Sequence, residues 1–187
     1  MNTANKLTML RMILIPVFVL CFYMSGYLWD LFAILAFAVA SITDKLDGYI
    51  ARKYNQITSF GKIMDPLADK LLVFSAFILM VNVGQIHAVA FLIILAREFT
   101  VTSMRAVAGG SGKVIAASMS GKLKTVCQMT CILVILALPL FRAVGIDFLA
   151  DYENIIANVL GWVAAAVTVW SGIDYAVKLV PVLKETK

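Results

Sequence analysis

Thirteen uncharged residues separate Asp30 from Asp44, and twenty-six separate Lys70 from Arg97. A helix needs about 20 consecutive apolar residues to cross a bilayer. The first run is too short for one crossing. The second is too long for one and too short for two. Apolar runs of this kind fill most of the chain, in which 62% of the 187 residues are hydrophobic and 14% are charged. Soluble domains carry about 25% charged residues. The chain is therefore expected to be an all-α integral membrane protein, and two of its helices reach spanning length only by drawing charges into the membrane boundary.

The chain divides into six predicted transmembrane helices in a single membrane-embedded domain over residues 1–187. Residues 1–11 hold Asn5, Lys6, Thr8 and Arg11 and are expected to form a short N-terminal interfacial helix, whose polar groups can also reach a headgroup site. Helix 1 is read over 12–29. It has a basic flank like a signal peptide but no small-residue cleavage pattern, so it is expected to be retained. Helix 2 must run over about 31–51, which carries Asp44 and Asp47 inside the boundary. A turn-like cluster at 82–87 divides the second run into helix 3, about 65–82, and helix 4, about 88–107. Pro66 suits a helix start, where its missing N–H costs nothing. A Gly- and Ser-rich loop leads to helix 5, about 121–140. A polar connection leads to helix 6, about 154–174, and a basic tail follows.

If both termini are cytoplasmic, that side holds Lys6, Arg11, Lys45, Arg52, Lys53, Lys62, Lys70, Arg105, Lys113, Lys122, Lys124, Lys178, Lys184 and Lys187. The opposite loops hold Arg142 alone. Positive charge concentrates on the cytoplasmic side of membrane proteins, so the aspartate stretch is expected at the cytoplasmic face. The net charge of +5 is thus accounted for by orientation, and no nucleic-acid-binding pattern accompanies it. Cys21, Cys127 and Cys131 lie in apolar segments and read as small core residues. The sole histidine, His87, falls in a short loop, which argues against histidine-based catalysis or metal binding.

Asp44 and Asp47 are spaced i, i+3 on one helix, and Asp65 and Asp69 are spaced i, i+4 on the next. Both spacings place two side chains on one helix face. Intramembrane charges are costly and mark functional sites. Four converging carboxylates supply hard oxygen ligands suited to two divalent cations, Mg²⁺ or Mn²⁺, and two such ions can clamp a phosphate. Gly48 and Ala51 leave room on the same face, Arg52 offers a forked donor for phosphate, and Gly61 permits a close backbone approach. Together these residues describe a pyrophosphate site at a membrane surface. The bland alternative is a belt of salt bridges from the aspartates to Lys45, Arg52, Lys62 and Lys70.

The run Asp44, Asp47, Gly48, Ala51, Arg52, Gly61, Asp65, Asp69 resembles the signature of the CDP-alcohol phosphotransferases, without departure in residue or spacing. The resemblance implies a homodimeric six-helix membrane enzyme that moves a phosphatidyl group from CDP-diacylglycerol to an alcohol and releases CMP. It also implies roles. Asp44, Asp47 and Asp65 would be metal ligands, Asp69 would deprotonate the acceptor and also approach the second metal, and Gly48, Ala51, Arg52 and Gly61 would line the CDP end.

The acceptor must be read outside that run. Arg97 and Arg105 are eight residues apart on one helix, and Lys122 and Lys124 begin another. These four cations suit an acceptor that carries its own phosphate, which free serine does not. Each has a plainer reading as a snorkelling anchor or, for Arg97 with Glu98, a buried ion pair. The segments around them, and Asn5, Leu7, Thr8 and Arg11, resemble bacterial members of the family that use sn-glycerol 3-phosphate. That resemblance points to a bacterial inner-membrane protein, and the charge asymmetry of the loops puts its site on the cytoplasmic side. An acceptor such as inositol phosphate or serine is the nearest alternative. An intramembrane prenyltransferase would separate its acidic motifs widely in a longer chain, and a small transporter would place acids near the midplane in broken helices.

Overall fold

The computed structural model describes residues 3–24, 26–53, 58–110, 118–143, 145–146 and 151–184. For residues 3–4, 45, 47–52, 59–60, 62, 110, 142–143 and 179–184 it describes the backbone alone. The apolar runs form six helices among the described residues: α1 (Thr3–Tyr23), α2 (Tyr27–Lys53), α3 (Ser59–Asn82), α4 (Ala88–Gly110), α5 (Met119–Ala143) and α6 (Glu153–Lys184). Of these, α1, α2, α5 and α6 contain stretches long and apolar enough to cross a membrane. The helices α3 and α4 match them in length but carry Asp65, Asp69 and Lys70, and Arg97, Glu98 and Arg105.

Three expectations are corrected. No separate interfacial helix precedes α1, because residues 3–11 form its first turns. Asn5, Thr8 and Arg11 recur at three-residue spacing, so they share one face, and that face turns inward: Arg11 is 0% exposed and Thr8 1%. Helix α1 also stops at Tyr23, where Gly26 at φ 125° makes a turn that an L-residue rarely adopts. The start of α3 also lies six residues before Asp65. Thr58 caps it, with an extended backbone and an Oγ1 that accepts from the amide of Gly61 at 3.0 Å. Pro66 consequently lies inside the helix and removes one backbone bond there. The connection at 82–87 does separate α3 from α4, and Gly84 takes a positive φ in it.

Helix α1 packs on α2 and α3, α2 on α5, and α6 on both α4 and α5. Phe18, Phe37, Phe77, Ile94, Ile132 and Ile135 are fully buried where these helices meet. Lipid tails are as apolar as leucine, so small residues that admit close van der Waals contact hold helices together in a bilayer. Helix α6 supplies such a stripe in Ala157, Gly161, Ala164, Ala165 and Thr168. A Cβ on Gly161 would come within 2.8 Å of Ile86 Cγ2. One buried polar contact reinforces the packing, from Gln128 Nε2 to Thr168 Oγ1 at 2.8 Å. Outward faces remain apolar on every helix, including Ile63 and Ile78 on α3 and Leu92 and Phe99 on α4. This inverted exposure is what lipid contact requires.

Candidate active site

The site has two sides that share one residue. The first is an acidic corner where α1 meets α2 and α3. The buried Arg11 guanidinium lies 2.7 Å from Asp44 Oδ1. Thr8 Oγ1 donates to Asp65 Oδ1 at 2.7 Å. Thr58 Oγ1 donates to Asn5 Oδ1 at 2.9 Å, which ties the cap of α3 to the first turn of α1. Gly61 is buried in this corner. A Cβ there would lie 3.3 Å from Thr58 Oγ1 and 3.4 Å from both Asn5 Oδ1 and Asp65 Oδ2. The glycine thus lets three polar groups close over the start of α3.

Among the described side chains, the cation on Asp44 is Arg11, from another helix, and Lys70 donates to Thr102 Oγ1. Lys45, Arg52 and Lys62, the other cations of the salt-bridge belt considered from sequence, have side chains outside the described residues. Asn5, Thr8 and Arg11, expected on the membrane surface, face inward instead. Their three-residue recurrence in an apolar helix was the signal that they face inward. Asp47, Gly48, Ala51 and Arg52 fall on α2 as expected, but their side chains lie outside the described residues.

The second side is a cavity of about 590 Å³ between α3, α4 and α5, and Asp69, Arg97, Arg105, Lys122 and Lys124 all line it. The four cations singled out from sequence therefore share one space with the last aspartate of the signature. They are not equivalent. Arg97 and Lys124 both contact the buried Glu98 carboxylate, Arg97 Nη1 at 3.3 Å. Arg97 Nη2 also donates to Ser171 Oγ at 2.8 Å, and its Nε finds no acceptor among the described residues. Arg105 and Lys122 have no carboxylate partner among the described residues. The positive charge that Glu98 leaves uncompensated on this wall thus includes both of them. Asp174 takes no part in the cavity lining and pairs with Lys178 at 2.6 Å and with Ser120.

Asp69 joins the two sides. Its carboxylate lies in the electrostatic field of Asp44 and Arg11 from the acidic corner and of Lys124 and Glu98 from the cavity. A group placed there can act on a ligand that spans both. The donor chemistry also fits a divalent cation. Asp44, Asp65 and Asp69 present hard oxygen donors from two neighbouring helices. Among the described residues no three such side chains already converge as a closed metal cluster.

A helical bundle with an acidic corner, and with a cationic cavity lined by the last signature aspartate, is suited to handling charged phosphate esters at a bilayer. The sequence model described as CDP-alcohol phosphatidyltransferase matches residues 1–170, and the chain belongs to that family. Among similar curated proteins are those named CDP-diacylglycerol–glycerol-3-phosphate 3-phosphatidyltransferase from Bacillus subtilis (strain 168), Escherichia coli (strain K12) and Rickettsia typhi. Each is 39% identical to this chain, over 93% of its length. The matches cover 93%, 92% and 94% of those proteins.

Proposed function

We propose that the chain is a phosphatidylglycerophosphate synthase, which transfers a phosphatidyl group from CDP-diacylglycerol to sn-glycerol 3-phosphate and releases CMP. The observation that carries this reading is the cavity in which Asp69 meets Arg97, Arg105, Lys122 and Lys124. An acceptor with its own phosphate compensates the positive charge that Glu98 leaves on this wall and brings its hydroxyl toward Asp69. The names of the similar proteins agree with that acceptor.

In this mechanism the Asp69 carboxylate takes the proton of the acceptor hydroxyl. That oxygen forms a bond to the phosphorus that bears diacylglycerol, and the bond from the same phosphorus to the CMP oxygen breaks. General-base assistance of this kind contributes about 10²–10⁴-fold. Asp44, Asp47, Asp65 and Asp69 would hold two divalent cations, Mg²⁺ or Mn²⁺, which when bound offset the charge on the pyrophosphate. Arg11 and Thr8 hold Asp44 and Asp65 in place, and Gly48, Ala51, Arg52 and Gly61 line the CDP end.

Six membrane spans, including α3 and α4, are supported by the apolar outward faces of those two helices. A single domain over residues 1–187, the cytoplasmic placement of the site and both termini, and a homodimer in a bacterial inner membrane complete the proposal. The charge asymmetry of the loops supports the orientation, and the family resemblance supports the dimer.

An acceptor panel with radiolabelled CDP-diacylglycerol tests the function. CMP release is expected with glycerol 3-phosphate. Turnover with serine or inositol phosphate, and none with glycerol 3-phosphate, would remove the acceptor assignment and leave the family standing.

A further inference from the structure

Helix α6 carries none of the signature aspartates and none of the cations assigned to the acceptor. Its buried face nevertheless braces the wall on which those cations stand. Ser171 is fully buried and accepts from Arg97. Gly172 lies so close that a Cβ on it would come within 2.9 Å of Arg97 Cγ. Four residues beyond Ser171, on the same face, Tyr175 is 2% exposed. Its hydroxyl accepts from Arg105 Nε at 2.9 Å, and its ring lies under the Arg105 guanidinium, 4.8 Å from carbon to ring centroid. Val101, Met104 and Ala108 pack around it.

We propose that Tyr175 is a positioning residue for acceptor recognition, which holds Arg105 ready for the phosphate of the acceptor. The argument begins with chemistry. Arginine has a long side chain whose rotamers must be frozen when it binds a ligand, and ordering it beforehand lowers that cost. Tyr175 orders it with two contacts that act on different parts of the guanidinium. The hydroxyl engages the Nε edge, and the ring lies within cation–π reach of the guanidinium carbon. Both leave the two Nη groups to address a phosphate oxygen pair.

The neutrality of tyrosine matters. Glu98 orders Arg97 and Lys124 but cancels one of their charges. A carboxylate in place of Tyr175 would hold Arg105 equally well and cancel it too. A phenol supplies an acceptor and a π face without a negative charge at neutral pH, so Arg105 stays both fixed and fully attractive to a phosphate dianion. Helix α6 in this way sets the acceptor side of the site without contributing a charge to it there.

This inference rests on the acceptor reading above, and the experiment separates the two. Purified wild type is assayed first with varied glycerol 3-phosphate. Absence of acceptor-dependent CMP release would refute the acceptor reading and with it this role for Tyr175. With that dependence in hand, Tyr175→Phe keeps the ring and removes the hydrogen bond, and Tyr175→Leu removes both contacts. For Tyr175→Phe, KM for glycerol 3-phosphate is expected to rise about 3- to 10-fold, the ratio one net hydrogen bond supplies. Tyr175→Leu is expected to raise it by a further factor of about 3 or more, through loss of the cation–π contact. In the Phe variant kcat and KM for CDP-diacylglycerol stay at wild-type values. On an Arg105→Ala background, Tyr175→Phe adds nothing further to KM. An unchanged KM for glycerol 3-phosphate in Tyr175→Phe, an equal rise in KM for both substrates, or a full additional effect on the Arg105→Ala background would each overturn the proposal while leaving the acceptor reading intact. The Phe variant retains the packed ring, so the test stands even if the Leu variant fails to fold.

Discussion

Among the described residues, Arg11 is the most deeply buried charge, and its loss can be followed without reference to turnover. Its side chain is 0% exposed, against 29% for its partner Asp44, and the two are 2.7 Å apart. Arg11→Met keeps the apolar stem and deletes the guanidinium. Asp44 is then left without its close cation, in the field of Asp69. Removing one member of a buried pair costs about 3–5 kcal/mol, and the partial exposure of Asp44 sets the expectation at the lower end, about 3 kcal/mol. For a chain of this size each kcal/mol moves the melting midpoint by about 2–4 °C, so a fall of about 6–12 °C follows. Thermal unfolding in detergent micelles, without divalent metal, measures it. Asp44→Asn in the same chain removes the unpaired charge, so the double variant should recover part of the loss. A midpoint within about 2 °C of wild type for Arg11→Met, or strict additivity in the double variant, would show that the pair does not hold the corner together. Added Mg²⁺ should also narrow the gap between Arg11→Met and wild type, since a bound cation takes over the compensation of Asp44.

Asp69→Asn preserves shape and removes the base, so CMP release should fall by at least about 10²-fold while the melting midpoint holds. Activity close to wild type in that variant would end its role as base. Gly161→Ala places a methyl 2.8 Å from Ile86 Cγ2 and should cost about 1–3 kcal/mol through overpacking. Combined with Ile86→Ala, which removes the clash, its cost should be less than additive, and a Gly161→Ala protein as stable as wild type would contradict the close contact of α6 with the 82–87 turn. Chelation of divalent cations should stop turnover, with Mg²⁺ or Mn²⁺ restoring it. Undiminished CMP release after exhaustive chelation would remove the metal-ligand role of Asp44, Asp47, Asp65 and Asp69.

Much of this protein can be read without coordinates because the relevant physics is local. Bilayer thickness and run length demand helices, and a fixed helical period puts Asp44 with Asp47 and Asp65 with Asp69 on shared faces. The eight signature residues span only positions 44–69, so their spacing carries the family with it. Local signals also misled. Pro66 resembled a helix start, yet the Thr58 cap begins α3 earlier, because one hydrogen-bonded cap and the packing of α1 outweigh a single missing backbone bond. The polar groups of residues 5–11 looked like surface chemistry, since hydropathy alone does not say which way a helix face turns.

Tertiary structure decided the partners. Arg11 meets Asp44, Thr8 meets Asp65, Arg97 meets Ser171 and Arg105 meets Tyr175, and every one of these pairs joins different helices. Sequence spacing carries no information about such contacts, because they depend on how the helices pack. The period of the helix determined which aspartates could act together. The packing of α1 and α6, helices outside the signature, decided what holds them and their neighbouring cations in place.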